Sequence, residues 1–298
     1  MKKPSLWHAT TLALLSLVTA TAQAGITTRV SVDSAGVQGN ASSGDYNHST
    51  LSADGRYVAF ESSATNLVLG DTNGTSDVFV HDRQTGTISR VSINNAGGQA
   101  NGAASRPTLS ADGRFVAFDS AASNLVPNDT NNVADLSVHD RITGSTTRVS
   151  VNSAGEQCNR ASVFASLSAD GRYVAFESEA SDLVPNDTNG SLDIFVHDRL
   201  TGSTARVSVN SADGQGNSDS YYSTLSADSR YIAFYSLASN LVPGDTNDEG
   251  DIFVCDRLTG STTRVSVSST GVNKPALTFT PPSAPTDDML PLTPLHPT

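Results

Sequence analysis

Four times in this sequence an Asp-Thr-Asn triplet is followed, four residues after its Asn, by a further Asp: Asp71, Asn73 and Asp77; Asp129, Asn131 and Asp135; Asp187, Asn189 and Asp193; Asp245, Asn247 and Asp251. Two carboxylates and an amide so close together suit a hard cation. Calcium takes about six to eight oxygen ligands, so carbonyls and waters would have to complete its shell. The same residues also suit a turn in which Asp and Asn side chains bond their own backbone. Calcium is therefore the one candidate cofactor, and a structural turn without any cofactor is the competing reading.

His81, His139 and His197 recur at equal spacing, with Cys255 in the fourth place. Equivalent positions of a repeat array are held apart by the repeat itself, so these side chains are expected to pack between units rather than to share a metal. No Gly-x-Ser-x-Gly elbow, His-Glu-x-x-His or Cys-x-x-Cys occurs, and the sequence is read as non-enzymatic, with a hydrolase or lyase as the alternative. Cys158 and Cys255 each replace a different residue in the sister units. A disulfide is therefore no part of the repeated design.

The elements that must carry these residues follow from the repetition. Leu-Ser-Ala-Asp-Gly-Arg begins at Leu51, Leu109 and Leu167 and returns as Leu-Ser-Ala-Asp-Ser-Arg at Leu225, a constant interval of 58 residues. A period of that length marks an array of supersecondary units that bury their apolar faces only by stacking. Within a unit the apolar residues alternate, as in Arg56-Tyr57-Val58-Ala59-Phe60-Glu61, Asp77-Val78-Phe79-Val80-His81 and Arg90-Val91-Ser92-Ile93, which predicts strands. A shorter strand ends at Leu51, and Asp54-Gly55 and Thr85-Gly86 are tight turns. Each unit is thus a four-stranded antiparallel meander. The expected fold is all-β, a β-propeller of four blades, with Tyr57, Val58, Phe60, Val78, Val80 and their counterparts buried between blades.

The motifs Leu-Ser-Ala-Asp-Gly-Arg-Tyr-Val-Ala-Phe, Asp-Val-Phe-Val-His-Asp-Arg-Gln-Thr-Gly and Ser-Arg-Val-Ser together resemble the WD-like (PD-type) repeat of the TolB-type propellers, over roughly residues 26–268. The resemblance implies a binding scaffold. Two features depart from that family: the blades are longer than usual, and four is fewer than its typical six. In addition, Arg-Val-Ser occurs five times, at Arg29, Arg90, Arg148, Arg206 and Arg264, against four copies of every other strand. The ring is therefore a tight four-blade one, an open arc, or part of a larger ring completed by a homo-oligomer.

In a meander the two tight turns lie at one end of the blade and the long connections, 62–76 and 94–106, at the other. Long loops on a rigid frame usually carry binding. The units differ from one another just before the innermost strand, at Tyr46 and His48, Arg106 and Pro107, Val163 and Phe164, and Tyr221 and Tyr222. Of these, Tyr46, His48, Arg106, Phe164, Tyr221 and Tyr222 are the candidate anchors for a protein, peptide or glycan ligand. A calcium-stabilised structural module of a surface assembly is a further alternative.

Met1-Lys2-Lys3, an apolar run and Ala22-Gln23-Ala24 form a Sec-type signal peptide over 1–24, with cleavage expected after Ala24. The propeller domain is expected over 25–270 and a Pro-rich disordered tail over 271–298. The apolar run is too short to span a bilayer, so the destination is the periplasm or the medium. With 18 Lys and Arg against 30 Asp and Glu, the surface repels nucleic acid.

Overall fold

The computed structural model describes residues 26–44 and 49–268. The expected signal peptide, the whole of the expected tail, Tyr46 and His48 lie outside the described residues. Sixteen strands form four sheets of four. The first blade holds β1 (Ser49–Leu51), β2 (Tyr57–Ser62), β3 (Asp77–Asp82) and β4 (Thr87–Arg90), and the second β5 (Ala104–Leu109), β6 (Phe115–Ser120), β7 (Asp135–Asp140) and β8 (Ser145–Arg148). The third holds β9 (Ser162–Leu167), β10 (Tyr173–Ser178), β11 (Asp193–Asp198) and β12 (Ser203–Arg206), and the fourth β13 (Ser220–Leu225), β14 (Tyr231–Ser236), β15 (Asp251–Asp256) and β16 (Ser261–Arg264). Every neighbouring pair is antiparallel. The meander read from the alternation is correct. The outer strand, however, ends at Arg90 where the alternation extended it to Ile93: Val91 still donates to Val78, but the Ser92 hydroxyl then turns to Asp77 instead of continuing the ladder.

Blades stack in sequence order, each front face on the preceding blade's back face. At the first joint Ala59, Val78, Val80 and Val91 meet Leu109, Val116, Phe118 and Leu125. The second and third joints repeat this with Phe176 and with Phe234 as the central ring. At the three joints the expected core is present, except that the Tyr57 position is only half-buried; Val58 and Phe60 of the first blade are buried beside the N-terminal segment instead. There the ring lies between Arg56, 4.8 Å from its centroid, and Arg141 of the next blade, 4.2 Å away. Phe115 and Tyr173 are clamped in the same way by Arg199 and Arg257.

The hairpin glycine following that ring shows how tight the joint is. Gly55, Gly113 and Gly171 all take a left-handed backbone, φ 69–71°. A methyl group at Gly113 would sit 2.3 Å from the Tyr57 ring, whereas at Gly55, with no blade in front, the nearest atom is 3.6 Å away. Gly55→Ala should therefore cost about 1 kcal/mol of backbone strain, and Gly113→Ala about 1–3 kcal/mol more. Equal denaturant midpoints for the two variants would contradict this packing.

The two ends of the array differ from its joints. No strand of the fourth blade packs against the first as consecutive blades do. Ile252, in the place of the fully buried Val78, Leu136 and Ile194, is 39% exposed, and Leu51, in the place of Leu109, is 60% exposed. The fifth Arg-Val-Ser copy, at residues 29–31, is accounted for: Val30 packs on the first blade's front face, beside Phe60, Ala64 and Leu67. Cys158 and Cys255 are both buried and unpaired.

Candidate functional site

The inner strands β5, β9 and β13 each lose register with their neighbour at one point. The residue at that point is Arg106, Phe164 or Tyr222, and each takes a left-handed backbone, with φ of 51°, 54° and 54°. No glycine relieves any of them, so each stores backbone strain of about 1–3 kcal/mol, and such strain persists only where the surroundings enforce it. Part of that enforcement is visible. The Arg106 N–H donates to the Glu61 carboxylate of the preceding blade at 3.0 Å, and the Tyr222 N–H donates in the same way to Glu177 of the blade preceding its own.

The bulges aim three side chains into one row. The Arg106 guanidinium lies 4.5 Å from the Phe164 centroid while making a two-pronged ion pair with Asp119 at 2.9 and 3.1 Å. Phe164 meets Tyr222 edge-on at 6.0 Å, and Tyr222 lies 5.9 Å from Tyr221. Between them is a cleft of about 230 Å³, lined by residues from all four inner strands, Thr50 among them. Four of the six anchors expected from the sequence therefore converge. They sit within the inner strand, at its bulge, rather than before it. His48 is the first unit's counterpart of Arg106 by spacing and, with Tyr46, falls outside the described residues.

Sequence reasoning missed the carboxylates beneath this row. Glu61, Asp119 and Glu177 occupy the same position of the second strand in successive blades, and all three are buried. Burial pushes Glu177 up to about 7, against the smaller opposing effects of the Tyr222 N–H and the Arg106 charge. Burial likewise raises Asp119, with Arg106 opposing. Tyr221 donates its hydroxyl to Asp219 at 2.8 Å, and that carboxylate holds the phenol up at about 12. The signal was a carboxylate recurring at 58-residue spacing inside an otherwise apolar run. Chemically the cleft offers stacking faces, one guanidinium and hydrogen-bond acceptors. The described histidines lie elsewhere: His139 and His197 contact Thr146 and Thr204 on the neighbouring strand of their own blade at 2.9 Å, and burial holds His81, His139 and His197 below the usual imidazole range.

The Asp-rich loops are built around a different cation. Arg90 reaches Asp71 at 3.6 Å and Asp77 at 3.4 Å, and Gln99 donates to both, at 2.8 and 2.9 Å. Arg148 serves Asp129 and Asp135, Arg206 serves Asp187 and Asp193, and Arg264 serves Asp245 and Asp251. Asn73 accepts from the Thr75 N–H and donates to the Ala100 carbonyl, and Asn131 and Asn189 repeat the pattern. Asn247 accepts from the Glu249 N–H. This donor set fits a guanidinium and an Asx turn, the competing reading to calcium. Among the described residues, no group of three or more His, Cys, Asp or Glu is placed to hold a metal.

No family model matches the chain, and no curated protein matches it. Solved structures do. TolB from Acinetobacter baumannii is 22% identical over 73% of this chain and 42% of its own, with a TM-score of 0.43. The β-propeller domain of the Trilobed protease from Pyrococcus furiosus, of open velcro topology, is 13% identical over 73% of this chain and 57% of its own, TM-score 0.42. A prolyl endopeptidase is 14% identical over 78% of this chain and 30% of its own, TM-score 0.45. This chain thus spans well under two thirds of each.

Proposed function

We propose that this chain is an exported, non-enzymatic binding module that holds a protein, peptide or glycan in the cleft between Arg106, Phe164 and Tyr222. The observation that carries this reading is the strained backbone at those three positions. A left-handed Phe or Tyr lowers stability where glycine would not, and fold alone gives no reason to put bulky rings there. The rings point into a cleft where they form a contact surface of the kind that dominates binding energy. The acidic surface disfavours nucleic acid as the ligand. No helix among the described residues is long and apolar enough to cross a membrane, and export to the periplasm or medium rests on the Sec-type leader.

Glycine at Tyr222 separates function from fold. Tyr222 is 67% exposed, so Tyr222→Gly removes little packing while relieving the backbone. It should leave the protein equally stable or stabilise it by about 1 kcal/mol, and at the same time weaken ligand capture by about tenfold or more. Immobilised protein would be presented with the exported fraction and with a glycan array. Capture by Tyr222→Gly equal to wild type would overturn the reading, as would recovery of no ligand above background by either protein.

A further inference from the structure

We infer that a second copy of this chain docks head to tail on the open back face of the fourth blade, its first blade taking the place of a fifth. The two ends of the array carry complementary halves of the joint that occurs three times inside it. At each internal joint an aromatic of the preceding blade, Tyr57, Phe115 or Tyr173, is capped by an Arg of the following one, Arg141, Arg199 or Arg257. On the fourth blade the corresponding ring, Tyr231, is 39% exposed and among the described residues is met only by its own Arg230. On the first blade the corresponding arginine, Arg83, is exposed and caps no ring among the described residues. An aromatic awaiting a cation stands at one end, and a cation awaiting an aromatic at the other.

The apolar halves match in the same way. Val78 meets Leu109 in the first joint's cluster; their counterparts at the ends are Ile252 and Leu51, 39% and 60% exposed. An apolar groove beside Ile252 is lined by Thr224, Ala233, Phe234 and Tyr235, with Tyr222 of the ligand cleft at its edge. The N-terminal segment specifies which half is missing. Val30 and Gly39 lie against Ala64 and Leu67 of the first blade, where Val91 and Ala100 lie against Ala122 and Leu125 of the second. The first blade thus already has the connecting segment of a preceding unit and lacks only its sheet, which Tyr231, Ala233, Ile252 and Val254 supply. Arg29, whose counterparts hold two aspartates, pairs among the described residues with Gln38 at 2.5 Å. Arg29-Val30 and the fourth blade's own Arg264-Val265 are two copies of the segment that fills one place at each internal joint, so docking requires Val265, 50% exposed, to give way to the incoming Val30. Because such a contact joins two different surfaces, it propagates until it closes into a ring.

Leu51→Asp and Ile252→Lys each disable one end at an exposed position, so both variants should fold with the wild-type circular dichroism spectrum. In sedimentation velocity the wild-type chain should show a mass that rises with concentration above that of the monomer. Each variant alone should stay monomeric, and their mixture should form a one-to-one dimer through the two intact ends. A wild-type chain that remains monomeric at its highest soluble concentration would overturn the proposal. So would variants that assemble as the wild type does, or a mixture that does not pair. Retained ligand capture by the monomeric variants would separate this outcome from the binding reading above.

Discussion

Replacing Arg206 by methionine is expected to lower the unfolding free energy by about 3–5 kcal/mol, because removing one partner of a buried ion pair leaves the other charge uncompensated. The Arg206 side chain is 8% exposed, and those of Asp187 and Asp193 are 5% and 0%. Burial already pushes the pKa of both aspartates up, even in the presence of the guanidinium. Without it, folding at neutral pH must either keep two buried carboxylates charged or protonate them far above their ordinary range. A carboxyl whose folded value is raised penalises the folded state above its unfolded value of roughly 4, and the penalty vanishes below it. The stability gap between variant and wild type should therefore be widest near neutral pH and narrow as the pH falls toward 4. Calcium provides a second readout. With the guanidinium in place, millimolar calcium and chelator should give the same wild-type melting curve at matched ionic strength, whereas Arg206→Met should regain part of its loss in calcium. A wild-type curve that shifts upward with calcium would show that the loops take the ion despite their arginines.

That guanidinium also marks where sequence reading stopped. The spacing of Asp187, Asn189 and Asp193 is local, so it announces oxygen ligands, yet it cannot say which cation they surround. The answer lies on β12, 13 and 19 residues downstream, in an Arg-Val-Ser motif legible only as an outer strand. Its recurrence with the same period as the aspartates was the available clue. Strand order and core were far more legible, since short runs rich in Val and Phe such as Tyr-Val-Ala-Phe and Asp-Val-Phe-Val, bounded by turn residues, read as strands, and stacking buries them on both faces. The strand end at Arg90 was not, because the alternation runs on to Ile93 while a Ser92 hydroxyl bond redirects the chain. The cleft was half legible. Variation between units pointed to Arg106, Phe164, Tyr221 and Tyr222, but a left-handed backbone leaves no trace in the sequence when the residue is not glycine. Buried Glu61, Asp119 and Glu177 were hidden inside runs that read as core.

Phe176→Ala should be the other large loss, about 3–5 kcal/mol for the cavity and a further 0.5–1.5 kcal/mol, roughly, for the ring pair it breaks with Phe195. Phe176 is fully buried in the second joint, against Ala117, Leu136 and Val138 of the preceding blade, and stacks on Phe195 at 5.9 Å. Phe118 holds the same place one joint earlier but faces Ser137 on β7, so Phe118→Ala should lose the cavity term alone. Phe60 also pairs with a ring, Phe79 at 6.1 Å, yet no blade lies in front of it; only the segment carrying Val30 covers it. Atoms deleted there leave a site that the short segment can close over, so Phe60→Ala should cost the least of the three. The consequence goes beyond a ranking. In a stacked array each unit is held mainly by its neighbours, and the second joint divides the four blades into equal halves. Weakening it should turn one cooperative unfolding transition into two, whereas Phe60→Ala should shift a single transition. Phe60→Ala proving as costly as Phe176→Ala, with one transition in both, would mean that the first blade's front face is covered as completely as any joint, and that the array is closed.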